Sequence, residues 1–158
     1  AIEVSVTIVD GQRTPMADAM IETWQADAAG LFDHPDDPRG PVPLVPTGFR
    51  GLGRAVADAT GTACVRTVKP GPLPAENDST EAPHIDLAIF ARGMLDRLVT
   101  RIYFPDETEA NASDPVLASL GTGAREKLIA RATATGYHLD VVVQDSDPDG
   151  AETPFFEL

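Results

Sequence analysis

The stretch Ala82-Pro83-His84-Ile85-Asp86-Leu87-Ala88-Ile89-Phe90 carries the most information about this chain. Its apolar residues recur at every second position, which predicts a β-strand with one buried face. His84 and Asp86 are two residues apart, so both side chains are expected on the same face of the predicted sheet. Two histidines at this spacing would form one edge of a metal site. Here the second position is an aspartate.

Similar alternation recurs on both sides of this stretch. Short alternating runs occupy residues 2–9, 20–27, 53–57, 62–68, 84–91, 98–104 and 137–144. Turn residues such as Asp10-Gly11 separate them. This pattern predicts an all-β fold, an antiparallel β-sandwich formed as a single domain over residues 1–158. Ser113–Leu120 and Thr122–Ala134 contain helix formers and predict a short helical excursion between two strands.

The balance of charges excludes several classes of partner. Acidic residues number 25 and basic residues 12, which gives a net charge of −13. Phosphates of nucleic acids and anionic membrane surfaces would repel such a chain. The sequence also has no signal-peptide pattern and no apolar run of the roughly 20 residues that span a bilayer. We therefore expect a cytoplasmic protein that binds neither nucleic acids nor membranes.

Three residues are interpreted as structural. Cys64 lies within an alternating run, and we expect a buried, unreactive thiol there. Trp24 is the only tryptophan, and a tryptophan on an alternating strand is expected to fill the interior of the sandwich. Tyr103 belongs to the alternating run 98–104 and is expected to be buried.

Residues that could bind a metal are scarce. The sequence contains His34, His84, His138, Cys64, Tyr103 and Tyr137, and no other histidine, cysteine or tyrosine. A metal centre would therefore have to use carboxylates or lie on another polypeptide. One carboxylate option combines His84 with Asp86 and Asp96 around a divalent metal. In the alternative interpretation His84 is a strand residue that is hydrogen-bonded to Asp86 or to a backbone carbonyl.

Five segments together resemble the intradiol aromatic-ring dioxygenases. The most specific is Ile21-Glu22-Thr23-Trp24-Gln25-Ala26-Asp27-Ala28-Ala29-Gly30, which is similar to the Glu-x-Trp-Gln-Ala-Asp-x-x-Gly strand of that family. The others are Val68-Lys69-Pro70-Gly71-Pro72, Ala82-Pro83-His84-Ile85, Leu98-Val99-Thr100-Arg101-Ile102-Tyr103-Phe104 and Thr153-Pro154-Phe155-Phe156. Each segment alone is weak evidence for the resemblance, but together they follow the family's order and spacing over nearly the whole chain. The resemblance implies a sandwich fold and a role in oxidative cleavage of a catechol ring.

The resemblance also implies a set of metal ligands that this chain has largely lost. Such enzymes hold Fe(III) with two tyrosinates and two histidines, and hard anionic phenolates suit this ion. Phe32 stands at the position of the first tyrosine and Leu73 at that of the second. His84 matches the first histidine, whereas Asp86 replaces the second. We therefore expect no metal and no catalytic residue in this chain.

Members of the family that cleave protocatechuate contain two kinds of chain. The β chain carries Fe(III), and the α chain is its degenerate paralogue. The lost ligands and the segment Ile89-Phe90-Ala91-Arg92-Gly93 imply that this chain resembles the α subunits. It would shape the pocket of a β partner in a hetero-oligomer that converts protocatechuate and O₂ to 3-carboxy-cis,cis-muconate. Arg92 matches an arginine that borders the partner's pocket, and the resemblance implies that it binds the substrate carboxylate.

Two features of the sequence concern that partner, the beginning of the chain and the apolar surface. The α chains of the family begin with an arm that runs along the β chain, whereas this sequence begins at Ala1 directly before its first predicted strand. We also expect a large apolar face for the partner. A different function stays open, that of a stand-alone β-sandwich binding domain without ring-cleavage activity. A neighbouring gene with the intact ligand set would favour the subunit.

Overall fold

Short strands account for most of the regular structure, as the alternation predicts. The computed structural model describes residues 1–32, 34–37, 49–147 and 150–157. Within these residues the strands are β1 (Ile2–Asp10), β2 (Met20–Trp24), β3 (Leu52–Val56), β4 (Thr62–Thr67), β5 (Leu73–Pro74), β6 (Thr80–Glu81), β7 (His84–Phe90), β8 (Leu98–Tyr103), β9 (Arg131–Ala132) and β10 (Gly136–Val143). The helices are α1 (Thr108–Ser113), α2 (Pro115–Ala118) and α3 (Thr122–Glu126), and a 3-10 turn covers Glu76–Asp78. Each predicted strand is present, although β2 ends at Trp24 rather than at Asp27.

Two four-stranded sheets form the sandwich. Their strand orders are β4-β1-β10-β9 and β3-β2-β7-β8. Neighbouring strands are antiparallel except β1 and β10, which pair in parallel from Glu3–Gly136 to Asp10–Val143. A parallel pair needs a long crossover connection, and here the rest of the chain supplies it. The predicted antiparallel β-sandwich is confirmed, with one parallel pair in the middle of the first sheet.

The core lies between the two sheets and fixes the phase of each strand, that is, which alternate residues point inward. Its fully buried residues include Val4, Val6 and Ile8 on β1, Ile21 on β2, and Ile85, Leu87 and Ile89 on β7. Burying one such side chain stabilises the fold by roughly 1.5–3 kcal/mol. A shift of the strand register by one residue would turn all the buried side chains of that strand toward solvent. Residues between the inward-facing ones therefore have to face outward.

This phase contradicts the prediction that Trp24 fills the interior. Ile21 and Thr23 are buried in β2, so Glu22 and Trp24 point to the opposite face of the sheet. Trp24 is only half-buried there. The prediction was wrong because it relied on residue type. Glu22, two positions before Trp24, marks the outward-facing phase of the strand.

The prediction of a buried Cys64 was also wrong, because Cys64 lies on the outward-facing side of its alternating strand. Ala63 and Val65 face the core from β4, and Cys64 between them is exposed. Desolvation and the negative charge of Glu3 nevertheless raise the pKa of the Cys64 thiol. A thiol with a raised pKa stays protonated near neutral pH and reacts slowly.

The helical excursion is shorter than predicted. α3 ends at Glu126, well before the predicted end at Ala134. The following backbone pairs with the edge of β8 instead, because Tyr103 N–H donates to Leu128 O at 2.8 Å and Ala130 N–H donates to Tyr103 O at 2.9 Å. Backbone hydrogen bonds to β8 thus replace the intrahelical hydrogen bonds that helix propensity favours. Within the described residues no helix is long and apolar enough to cross a membrane.

Candidate functional site

The outer face of the β3-β2-β7-β8 sheet brings the candidate ligand positions into one region. Phe32 stacks on Trp24 with ring centroids 5.6 Å apart and planes 8° from parallel. Phe32, Leu73 and Trp24 line a recess of about 460 Å³, the aromatic recess. Trp24 is also the cross-strand neighbour of Asp86 on β7. Phe32 and Leu73, to whose positions the resemblance assigns tyrosines, therefore lie beside the strand that carries His84 and Asp86.

His84 is buried, and its ring is hydrogen-bonded to a backbone carbonyl two residues earlier. Its Nδ1–H donates to Ala82 O at 2.8 Å, and its Nε2 lies 3.5 Å from Glu81 Oε2 and 3.8 Å from Asp86 Oδ1. Its ring packs against Tyr103 with centroids 5.6 Å apart. These contacts confirm the interpretation of His84 as a strand residue hydrogen-bonded to a carbonyl. Its side chain lies on the same face of the sheet as Asp86, as the spacing predicts.

Arg101 on β8 lies between the carboxylates near His84. Its Nε donates to Asp86 Oδ1 at 3.0 Å, and its Nη1 donates to Glu81 Oε2 at 3.0 Å. Burial opposes the charged guanidinium, but Tyr103, Asp86 and Glu81 outweigh it and raise the pKa of Arg101 further. Arg101, Asp86, Glu81 and His84 form the Arg101 cluster. A fixed positive charge therefore lies beside Asp86, the position to which the resemblance assigns a histidine ligand.

Tyr103 links the Arg101 cluster to the helices. It is fully buried, as predicted, and its hydroxyl donates to Asp114 Oδ1 at 3.2 Å. Burial raises the pKa of Tyr103 well above its ordinary value, so its phenol stays protonated. Asp114 also accepts from the N–H groups of Ala82 at 2.7 Å, Val116 at 2.9 Å and Leu117 at 2.8 Å. This buried carboxylate caps α2 and ties it to the chain just before β7.

The donors in this region do not fit ferric iron. Phe32 and Leu73 carry no donor atom, and the guanidinium that binds Asp86 would repel a metal cation. The one Tyr in the region, Tyr103, is a protonated phenol that is hydrogen-bonded to Asp114. Among the described residues no group of three or more histidine, cysteine, aspartate or glutamate side chains is arranged to hold a metal.

Replacing Arg101 by leucine is expected to reduce the free energy of unfolding by about 1–3 kcal/mol. Removing one member of a fully buried ion pair costs roughly 3–5 kcal/mol, but Asp86 is 38% exposed and solvent screens part of the loss. Urea denaturation followed by circular dichroism measures this change. Arg54→Leu is the matched control, because Arg54 forms an exposed ion pair with Glu22 on the same sheet face. That pair contributes about 0–1 kcal/mol, and equal losses in the two variants would contradict a special role for Arg101.

A cleft of about 480 Å³, the central cleft, adjoins the Arg101 cluster. It is lined by Glu22, Thr23, Trp24, Leu52, Asp86, Leu87, Ala88, Arg97, Val99, Arg101, Val116, Phe156 and Glu157. The roles of Arg97, Arg101 and Phe156 at this site were not predicted from the sequence. The alternation of 98–104 was a usable signal, since it places Val99 and Arg101 on one face. No local pattern brings the C-terminal Phe156 to the same place.

Arg92 and Asp96 lie apart from the four ligand positions. Arg92 follows β7, its side chain is 90% exposed, and its Nε donates to Asp18 in an ion pair. It lines neither the central cleft nor the aromatic recess. Asp96 lines a different recess of about 790 Å³, which it shares with Arg97. The structure therefore does not bring Asp96 together with His84 and Asp86.

Comparisons with known proteins agree with this geometry. The sequence profile of the dioxygenase family matches residues 1–143. The chain is 37% identical to the protocatechuate 3,4-dioxygenase alpha chain of Burkholderia cepacia, over 96% of this chain and 74% of that one. It is 34% identical to the beta chain from the same organism, over 92% and 65% of the two lengths. An intradiol ring-cleavage dioxygenase from Tetranychus urticae has the same fold, with a TM-score of 0.67 at 20% identity over 92% of this chain and 81% of that one.

Proposed function

Because this chain belongs to the family of intradiol dioxygenases, we propose that it is the non-catalytic α subunit of a protocatechuate 3,4-dioxygenase. In this enzyme the β subunit holds Fe(III) and cleaves protocatechuate with O₂, and the present chain shapes the pocket. One observation carries the proposal. Phe32 and Leu73 stand where the family has tyrosinate ligands, and the guanidinium of Arg101 binds Asp86 at a third ligand position.

Overall identity supports the family but does not separate its two kinds of chain. The alpha and beta chains of Burkholderia cepacia are 37% and 34% identical to this one, a difference too small to assign a role. The residues at the ligand positions are more informative, because an iron-bearing chain needs anionic oxygen and imidazole donors there. We therefore assign iron and catalysis to the partner. The proposed enzyme works in the cytoplasm, where a reducing environment suits the exposed thiol of Cys64.

The surface offers apolar residues for such a partner. Leu52 and Val56 on β3 are 61% and 66% exposed, and Leu95 after β7 is fully exposed. Single exposed apolar residues are ordinary on a monomer, so their number alone decides nothing. Leu95 is close in sequence to Arg92, the residue that the resemblance assigns to the partner's pocket. We infer that the segment between β7 and β8 faces the β subunit.

We expect this chain and its cognate β chain to form a stable hetero-oligomer, because permanent interfaces bury more than about 2,000 Å² and are strongly apolar. Sedimentation of the two chains, separately and mixed, measures the association. Leu95→Glu should raise the dissociation constant about ten-fold or more, which corresponds to about 1.4 kcal/mol. Ala59→Glu adds the same charge in an exposed turn and should have little effect. A chain that stays monomeric in the mixture would contradict the proposed subunit role.

Replacing Arg92 by alanine in the reconstituted enzyme is expected to raise KM for protocatechuate several-fold. A guanidinium that forms charged hydrogen bonds with a carboxylate contributes roughly 1.5–3 kcal/mol, and a solvent-exposed pair contributes roughly 0.2–1 kcal/mol. Plain catechol has no carboxylate, so its KM should change much less. Steady-state O₂ uptake with both substrates measures the difference.

Asp18 provides the control for this experiment. In the isolated chain Asp18 is the ion-pair partner of Arg92, and this pair lowers the pKa of Asp18. Asp18→Ala removes the pair but keeps the guanidinium, so KM for protocatechuate should not rise. If Asp18→Ala and Arg92→Ala raise KM equally, or if both substrates are affected alike, Arg92 acts through the local structure instead.

A further inference from the structure

The central cleft has an apolar floor built from neighbouring strands. Trp24, Ala88 and Val99 come from β2, β7 and β8 and lie on the outer face of the sheet. Phe156 extends this surface, because its N–H donates to Val99 O at 2.8 Å. Phe32 stacks on Trp24 and lines the adjoining aromatic recess, so this indole lies between the two depressions. A flat aromatic ligand in the central cleft would lie against the indole.

The charged groups of the cleft divide into paired and unpaired ones. Of its carboxylates, Glu22 binds Arg54 and Asp86 binds Arg101. Arg97 and Glu157 also line the cleft, and within the described residues neither forms an ion pair. One guanidinium and one carboxylate are therefore available to a ligand. They lie at the same side as Phe156, because these three residues also line the recess that contains Asp96.

The geometry points to a hydroxylated, single-ring aromatic monocarboxylate as the ligand of the central cleft, and we propose that this chain binds it noncovalently and without a metal. Ligand pockets have volumes of about 300–1,000 Å³, so the 480 Å³ of the cleft suit a small molecule. The planar guanidinium of Arg97 matches a carboxylate. Glu157 has only acceptor atoms when ionised, so it can accept hydrogen bonds from the ring hydroxyls of such a ligand.

This site is separate from the pocket that the proposed function assigns to the partner. It consists of residues of this chain alone, and it does not include Arg92. The inference therefore holds or fails in the isolated chain, whether or not a β partner associates. If it holds, each α subunit carries a ligand of the same chemical class as the substrate at a position where no ring cleavage occurs.

Titration of the isolated chain with 3,4-dihydroxybenzoate tests the inference. Trp24 is the only tryptophan of the chain and lines both the central cleft and the aromatic recess, so its fluorescence, corrected for absorption by the ligand, reports on binding in this region, and the Arg97 variant assigns the signal to the cleft. Calorimetry gives the stoichiometry independently. We expect saturable one-to-one binding with a Kd of about 1 mM or below. Catechol lacks the carboxylate and benzoate lacks the hydroxyls, so both should bind more weakly.

Two variants connect the binding to the cleft. Arg97→Gln should weaken binding of 3,4-dihydroxybenzoate about ten-fold and should leave the weak binding of catechol unchanged. Arg66→Gln removes the same charge from the opposite sheet and should leave both unchanged. Arg97 is exposed and forms no ion pair among the described residues, so its variant should melt like the parent. No saturable binding, or an Arg97→Gln variant that binds as tightly as the parent, would overturn the inference.

Discussion

Replacing Asp114 by alanine is expected to reduce the free energy of unfolding by about 3–4 kcal/mol. Asp114 is fully buried and accepts hydrogen bonds from the N–H groups of Ala82, Val116 and Leu117 and from the hydroxyl of Tyr103. Loss of a helix cap costs roughly 0.5–2 kcal/mol, and a buried donor without a partner costs about 1–3 kcal/mol. The melting temperature should fall by about 10 °C. Thermal and urea denaturation measure both quantities.

Two variants show whether the loss comes from this carboxylate. Asp114→Asn keeps an acceptor oxygen for α2 but turns an NH₂ group toward another donor. It should therefore reduce the free energy of unfolding by about half as much as Asp114→Ala does. Asp58→Ala removes a carboxylate that accepts from Thr60 and Thr62 in an exposed turn, and its effect should be much smaller. Equal destabilisation by Asp58→Ala and Asp114→Ala would show that burial of Asp114 contributes nothing special.

The strands could be predicted from the sequence because the core is strictly alternating. Ile85, Leu87 and Ile89 are all fully buried, and their spacing alone identifies β7. The parallel pairing of β1 with β10 could not be predicted, because its partners are far apart. Ser5 and His138, hydrogen-bonded at 2.8 Å, are separated by 133 positions. A local pattern contains no information on which distant strand becomes the neighbour.

Predictions from residue type alone were less successful than predictions from phase. Trp24 was predicted in the core because it is large and aromatic, yet its phase in β2 directs it outward. The helix predicted up to Ala134 ends at Glu126, because the edge of β8 binds the following backbone. Tertiary contacts override propensity in such segments. The single domain over residues 1–158 stays a prediction.

The candidate site was found by resemblance and completed by the structure. Phe32, Leu73, His84 and Asp86 were named from the sequence as degenerate ligand positions. The ion pairs of Arg101 were not, because Asp86 and Glu81 lie 15 and 20 positions from it and only the pairing of β7 with β8 brings them together. The role of Arg92 in the partner's pocket stays a prediction.

We propose that this chain belongs to a ring-cleaving enzyme but does not hold its iron. Phe32 and Leu73, at the positions to which the resemblance assigns tyrosinates, provide no anionic donor, so we expect no visible tyrosinate-to-iron charge-transfer band from this chain. A guanidinium beside Asp86 further disfavours a cation, since two like unit charges 4 Å apart repel by about 4 kcal/mol near a protein surface. The complex with a β chain should contain iron and should consume O₂ with protocatechuate.

The most direct test is to measure iron content and protocatechuate-dependent O₂ uptake for the purified chain, alone and in complex with its β partner. We predict substoichiometric iron, no charge-transfer band and no uptake for the chain alone. We predict iron, the visible band and ring cleavage for the complex. Stoichiometric iron together with ring cleavage in the isolated chain would rule out a non-catalytic role for this chain.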